Sequence, residues 1–260
     1  MLGPGVQILP RPFSLSARQA GGKMRYRSVA IIGPSTVGKT SVAFGLARKI
    51  EGEIVNLDKI YTYRTLPISS GLSDALEMEG IEKHLYAFLD LEEEPVPAPI
   101  YAEMVREKCM SIVSKGRTPI AEGGSTTYFP AFYACNEERP FCNLIIGLTP
   151  PPYDSLRHNI KSRISDAIDR GLLTEVKANA MRKSNLLSDM HVTAPLIEHL
   201  AGKIGIEEAK ERILERALAY TNLQMSIFAK YDRITWLEYN PSHQQTIECI
   251  IGLMRTGAKF

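Results

Sequence analysis

Gly33-Pro34-Ser35-Thr36-Val37-Gly38-Lys39-Thr40 combines two glycines, a lysine and a hydroxyl residue at fixed spacing. An apolar run, residues 28–32, delivers the chain to it, and a helix-like run, residues 41–50, carries the chain away. The stretch therefore fits the phosphate-loop pattern G-x-x-x-x-G-K-[ST] in every fixed position and in context. In such a turn the backbone N–H groups converge on an anion, and the helix behind it adds the positive end of its dipole. The pattern predicts Gly33, Ser35, Thr36, Val37 and Gly38 as the cradle, Lys39 on the phosphates, and Thr40 on a magnesium ion. It leaves the chemistry open, because phosphoryl transfer, hydrolysis and departure of a diphosphate all need the same cradle.

Outward from the loop, residues 53–58 read as a short strand ending in a carboxylate, Asp58. Apolar residues keep a helical period over 100–115, and Gly116 stands where a helix-ending glycine belongs. Residues 118–122 read as a buried strand running into Gly123-Gly124-Ser125-Thr126, and 143–149 as another. Pro150, Pro151 and Pro152 mark a boundary. Beyond them the pattern turns helical over 153–170, 172–182, 193–200 and 206–230, with one strand at 233–237 and a closing helix over 242–254. Strands alternating with helices predict an α/β core, residues 27–150, with a parallel sheet covered on both faces and ligands at the carboxyl ends of its strands. Residues 151–260 form a helical substrate-binding part that returns one strand to the core.

A chain of 260 residues, 44% hydrophobic, is long and apolar enough for one large domain or a main domain with an appendage. Lys and Arg (31) nearly balance Asp and Glu (29), so the net charge of +2 carries no overall signature of nucleic-acid binding. Cys109, Cys135, Cys142 and Cys249 have neither C-x-x-C nor zinc spacing and read as buried thiols of a reducing, cytoplasmic compartment. No apolar run approaches the roughly 18 residues of a membrane span. Residues 1–50 contain no acidic residue, and Arg11, Arg18, Lys23, Arg25 and Arg27 lie among Pro, Gly and Ser. Residues 1–26 are expected to be a disordered leader or an organelle-targeting segment.

Asp58 faces the same crevice as Lys39 in such folds, and could be a general base, a carboxylate near the magnesium ion, or a helix cap. Glu122 ends a neighbouring strand as a metal-polarising acid would. Ser125 and Thr126 can offer hydroxyl and backbone donors to a leaving oxygen, or form an ordinary turn. Arg157 and Arg163 lie near the loop in sequence, with Arg163 better spaced to enter a cleft. On the long helix, Ile213, Ala217, Tyr220, Gln224 and Phe228 form one stripe, so Gln224 points where an apolar residue belongs and needs partners from the core or from a ligand. Of the histidines only His84 draws interest.

Taken in order, these motifs resemble the isopentenyltransferase family, which moves a dimethylallyl group from dimethylallyl diphosphate to N6 of adenine. The resemblance rests on the phosphate loop; Asn56-Leu57-Asp58 with residues 61–64; His84-Leu85; residues 117–129 around Gly123-Gly124-Ser125; Arg163 with Gly171-Leu172-Leu173-Thr174-Glu175-Val176; and Gln224. It implies Asp58 as the general base on N6, and Lys39, Thr40 with magnesium, Ser125 and Arg163 as the set that neutralises the departing diphosphate. It implies Tyr61 and Gln224 as acceptor-binding. The chain departs from the branch that modifies tRNA at Val192-Thr193-Ala194-Pro195 and Leu223-Gln224, has no zinc finger, and has a short link over 129–143. These departures imply the branch that takes free adenine nucleotides, as in cytokinin biosynthesis, with no tRNA or membrane partner and an oligomeric state left open. A tRNA acceptor, a small-molecule kinase and a non-catalytic nucleotide-binding module are the competing expectations.

Overall fold

The computed structural model describes residues 28–72, 75, 79–182 and 186–256; the expected leader lies outside these. Its centre is a six-stranded, all-parallel sheet in the order β3-β2-β4-β1-β5-β6. The strands are β1 (Val29–Ile32), β2 (Gly52–Asn56), β3 (Lys83–His84), β4 (Thr118–Gly123), β5 (Leu144–Leu148) and β6 (Ile234–Leu237). Every residue of β1, β2 and β5 is buried, as strands covered on both faces must be. β1 lies between β4 and β5, so the chain reverses its winding direction at β1, and the crevice opens at the carboxyl ends of these three strands. Register does the rest: Ile32 pairs with Gly123 of β4 and Gly147 of β5, which brings Gly33 and Gly124 side by side.

One face of the sheet is covered by α3 (Ala98–Ser114) and α4 (Tyr128–Glu138), whose Tyr101, Val105, Phe129 and Phe132 pack on Ile32, Val55 and Ala121. The other is covered by α1 (Lys39–Ile50) and α10 (His243–Thr256), through Phe44, Leu46, Ile247 and Ile250. Each such buried side chain contributes about 1.5–3 kcal/mol. The helical part has a third core. There α5 (Tyr153–Asp169), α6 (Leu172–Asn179), α8 (Thr193–Leu200) and α9 (Ile206–Phe228) join Leu156, Ile160, Val176, Leu196 and Ile213. Two short helices, α2 (Pro67–Ser70) and α7 (Leu186–Asp189), lie between the longer elements.

The structure bears out the expected class, a phosphate-loop parallel sheet with helices on both faces and a mainly helical second part returning one strand. It corrects details. β2 ends at Asn56, not Asp58, because the Asn56 side chain accepts the Asp58 N–H at 2.7 Å and turns the chain out of the sheet. α4 occupies most of the link over 129–143, for which no element was expected, and β3 is an edge strand too brief to show alternation. α6 stops at Asn179 rather than 182. All four cysteines are free thiols, three of them buried.

Candidate active site

The phosphate loop needs its glycines. Gly33 has φ +150°, and a Cβ there would sit 2.6 Å from the Leu148 carbonyl oxygen. Gly38 has φ +82°, a left-handed conformation that costs glycine no steric strain. Thr36, at φ +65°, adopts the same region, with its hydroxyl donating to the Ser35 carbonyl at 2.6 Å. Lys39 opens α1 and donates to the Pro34 carbonyl at 2.7 Å, so its ammonium closes over the loop. Thr40 follows, its hydroxyl donating to Glu122 Oε1 at 3.1 Å.

Asp58 sits two residues beyond β2, with both oxygens aimed by backbone donors. Oδ1 accepts the Ile60 N–H at 3.1 Å, and Oδ2 accepts the Gly124 N–H at 3.2 Å. The Asn56 amide holds the turn by donating to the carbonyls of Asp58 and Leu85, each at 2.9 Å. β4 passes close beneath, and a Cβ on Gly123 would collide with the Leu57 carbonyl. A glycine is required there for Asp58 to reach the loop.

Burial governs the charges. Lys39 is held below its ordinary value by burial and by Arg163, against the pull of Glu122 and Asp58. Glu122 is raised by burial, with Asp58 adding to it and Lys39 opposing it. The Tyr61 and Tyr86 phenols are pushed up, first by burial and then by Glu122, so both stay protonated donors. Tyr61 bonds to the Thr40 hydroxyl, Tyr86 donates to Glu122 Oε2 at 3.4 Å, and the two rings stack at 5.9 Å. Thr40 and Glu122 thus place hard oxygen donors together beside the cradle, a set that suits a divalent cation.

The helical part adds groups across the crevice. Arg163 projects from α5 and lies against Gly71, and its charge acts on Lys39 and Tyr61. Gln224, on α9 and 1% exposed, donates to the Gly124 carbonyl at 2.7 Å and accepts the Ser35 N–H at 3.4 Å. It ties the phosphate loop to the end of β4, which accounts for a glutamine in an apolar stripe. Ser125 accepts the N–H groups of Tyr128 at 3.0 Å and Thr127 at 3.3 Å, so its oxygen anchors the start of α4. Tyr220 bonds to Thr126 and feels the Asp58 charge.

Not every candidate belongs here. Arg157 pairs with Glu211 of α9 at 2.6 Å. His84 lies on the outer edge strand and pairs at 2.7 Å with buried Glu53, which also takes Arg117 at 3.0 Å. Sequence reasoning gave no role to Tyr86, Asn56 or Tyr220, although Asn56 stood beside Asp58 in a matching motif and Tyr220 lay one turn before Gln224 on the same stripe.

Residues 26–185 match the family of isopentenyl transferases. The chain is 33% identical over 143 residues to the tRNA dimethylallyltransferase of Parvibaculum lavamentivorans, a match covering 54% of this chain and 41% of that one. It is 31% identical over 148 residues to a bifunctional cytokinin biosynthesis protein of Fusarium pseudograminearum, covering 57% and 30%. The chain therefore spans less than half the length of both relatives. The fold resembles that of the full-length tRNA isopentenylpyrophosphate transferase of Bacillus halodurans, with TM-score 0.74 and 20% identity over 89% of this chain and 98% of the other. The phosphate loop, the aimed carboxylate and the family match agree: the chain belongs to the isopentenyl transferase family.

Proposed function

We propose that the protein transfers the dimethylallyl group of dimethylallyl diphosphate to N6 of the adenine of a free nucleotide (AMP, ADP or ATP), releasing diphosphate. The observation that carries this reading is the Asp58 carboxylate, fixed by the Gly124 and Ile60 N–H groups beside a complete phosphate loop. The lone pair of an adenine amine is delocalised into the ring, so a carboxylate that accepts its proton as the C–N bond forms restores nucleophilicity. Charge grows meanwhile on the bridging oxygen of the donor. Lys39, the loop amides, Arg163 and the Ser125 hydroxyl are the donors on this chain that meet it, and groups fixed in advance act mainly on the transition state. Thr40 and Glu122 would hold a magnesium ion, which supplies charge neutralisation on the diphosphate. Tyr61 lines the acceptor side, and Gln224 serves it by setting the spacing of the two loops.

A tRNA acceptor is the second reading, favoured by the Parvibaculum relative, which is named as a tRNA dimethylallyltransferase. Support for the free nucleotide is the near-balanced charge and the second relative, named for cytokinin biosynthesis. The first test is the kind of group moved. Incubated with magnesium, dimethylallyl diphosphate and AMP, the protein should give N6-dimethylallyl-AMP and diphosphate by mass. Transfer of a labelled γ-phosphate from ATP to a nucleoside, with no prenylated product, would contradict it.

A further inference from the structure

Two side chains one turn apart on α6 grip the segment that carries α2. Glu175 accepts the Ile68 N–H with one carboxylate oxygen at 2.7 Å and the Ser69 N–H with the other at 2.9 Å. Asn179 donates its amide to the Thr65 carbonyl at 3.2 Å. Ionised acceptors on backbone N–H groups make the stronger kind of hydrogen bond, so this is a firm attachment between the helical part and a segment of the core. The gripped segment ends at Gly71, φ +79°, which packs so tightly on the Arg163 guanidinium that a Cβ would collide with Nη2 and would lie 3.8 Å from the Tyr61 hydroxyl. Leu66 and Leu72, on either side of α2, are fully buried. Arg163 and Glu175 belong to consecutive helices joined through one hydrophobic core by Ile164, Leu172 and Val176, so the grip and the guanidinium are carried by one packed unit.

We propose that Glu175 is a positioning residue: by fixing residues 65–71 it sets Gly71 as the surface on which the Arg163 guanidinium rests, and thereby aims Arg163 at the departing diphosphate. This rests on the reading of Arg163 given above. A glutamine at 175 would keep one acceptor oxygen but turn an NH2 group toward the second backbone N–H, loosening the segment without emptying the site. Alanine at 71 would push the guanidinium aside directly.

The test compares kcat and KM per folded molecule for Glu175→Gln, Gly71→Ala, Arg163→Ala and Glu175→Gln combined with Arg163→Ala, alongside thermal midpoints. Misplacement of an aligned group by a fraction of an ångström lowers turnover, so Glu175→Gln and Gly71→Ala should each reduce kcat roughly tenfold or more. The acceptor KM should stay within about twofold. In the Arg163→Ala background, Glu175→Gln should change kcat no further, because its route to the chemistry has been removed. A role in stability alone would lower the midpoint and leave kcat per folded molecule unchanged, which overturns the proposal. So would a full Glu175→Gln effect persisting without Arg163. Should Glu175→Gln fail to fold, Gly71→Ala alone and in the Arg163→Ala background carries the same test. Wild-type turnover by Arg163→Ala would remove the role of Arg163 itself and the proposal with it, whereas slow Arg163→Ala beside normal Glu175→Gln sinks only the positioning role.

Discussion

The two halves of the molecule place their groups by opposite means. In the sheet half, Lys39, Thr40, Asp58 and Glu122 lie in strands, within two residues of a strand end, or in the first turn of α1, and backbone register fixes their positions. In the helical half, Arg163, Glu175, Tyr220 and Gln224 project from within helices and reach across to the core. Glu175 and Gln224 end on backbone groups at residues 35, 68, 69 and 124. A group fixed by register is hard to shift, while one fixed by a side-chain reach depends on that reach being kept. On the proposed reading the sheet half holds the general base and the phosphate cradle, while the helical half adds Arg163 and sets the spacing between the loops.

That contrast can be broken at its strongest point first. Asp58→Asn leaves the cradle intact, so donor binding should persist while prenyl transfer falls by at least about a hundredfold, the usual contribution of a general base. Equilibrium binding of the donor and single-turnover rates separate the two, and near-normal turnover would remove Asp58 from the mechanism. Next, Gln224→Ala strips partners from the Ser35 N–H and the buried Gly124 carbonyl. Each orphaned buried polar group costs about 1–3 kcal/mol, so stability should drop by that order in urea titrations. The donor KM should rise with it, and an unchanged donor KM would show that the bridge does not set loop spacing.

The smallest effect sharpens the comparison from the helical side. His191 stacks on Tyr220 at 5.5 Å, and burial, with Arg163 and Arg216, lowers its pKa to about 4. The unfolded chain, near 6.5, takes up the proton first, so stability contributed here is present above about pH 6.5 and is lost as pH falls toward about 4. His191→Phe, which cannot charge, should lose less stability than the parent between about pH 7.5 and about pH 5 in parallel denaturant titrations. Equal losses would show that His191 is not held neutral.

Most of the sheet half was legible because its signals are local: a glycine-lysine spacing, apolar runs, and strand ends followed by glycine. The overshoot at Asp58 has a local cause too, since a side chain, Asn56, ends the strand where residue type alone would continue it. α4 was not legible because Tyr128, Phe129, Phe132, Tyr133 and Cys135 are buried around much of its circumference, which erases the polar face a helical period needs. Glu175 and Gln224 show the limit in the helical half. Each stands out in the sequence, by motif or by breaking an apolar stripe, but their partners lie 100 to 189 residues away. No pattern of spacing can supply such a pairing, and only the folded chain does.

If Asp58 and the cradle act on the adenine of a free nucleotide, as proposed, the choice of acceptor must show it. Drawing a target base out of a folded RNA costs a few kcal/mol and calls for a broad basic interface to offset it, while a nucleotide needs only a pocket beside Asp58. Purified protein with magnesium and dimethylallyl diphosphate, offered AMP, ADP, ATP and unmodified tRNA in parallel and then in competition, should place the dimethylallyl group on N6 of the free nucleotides. Mass analysis of the nucleotides and of digested tRNA reads both arms at once. Efficient modification of tRNA with no prenylated nucleotide would contradict the account.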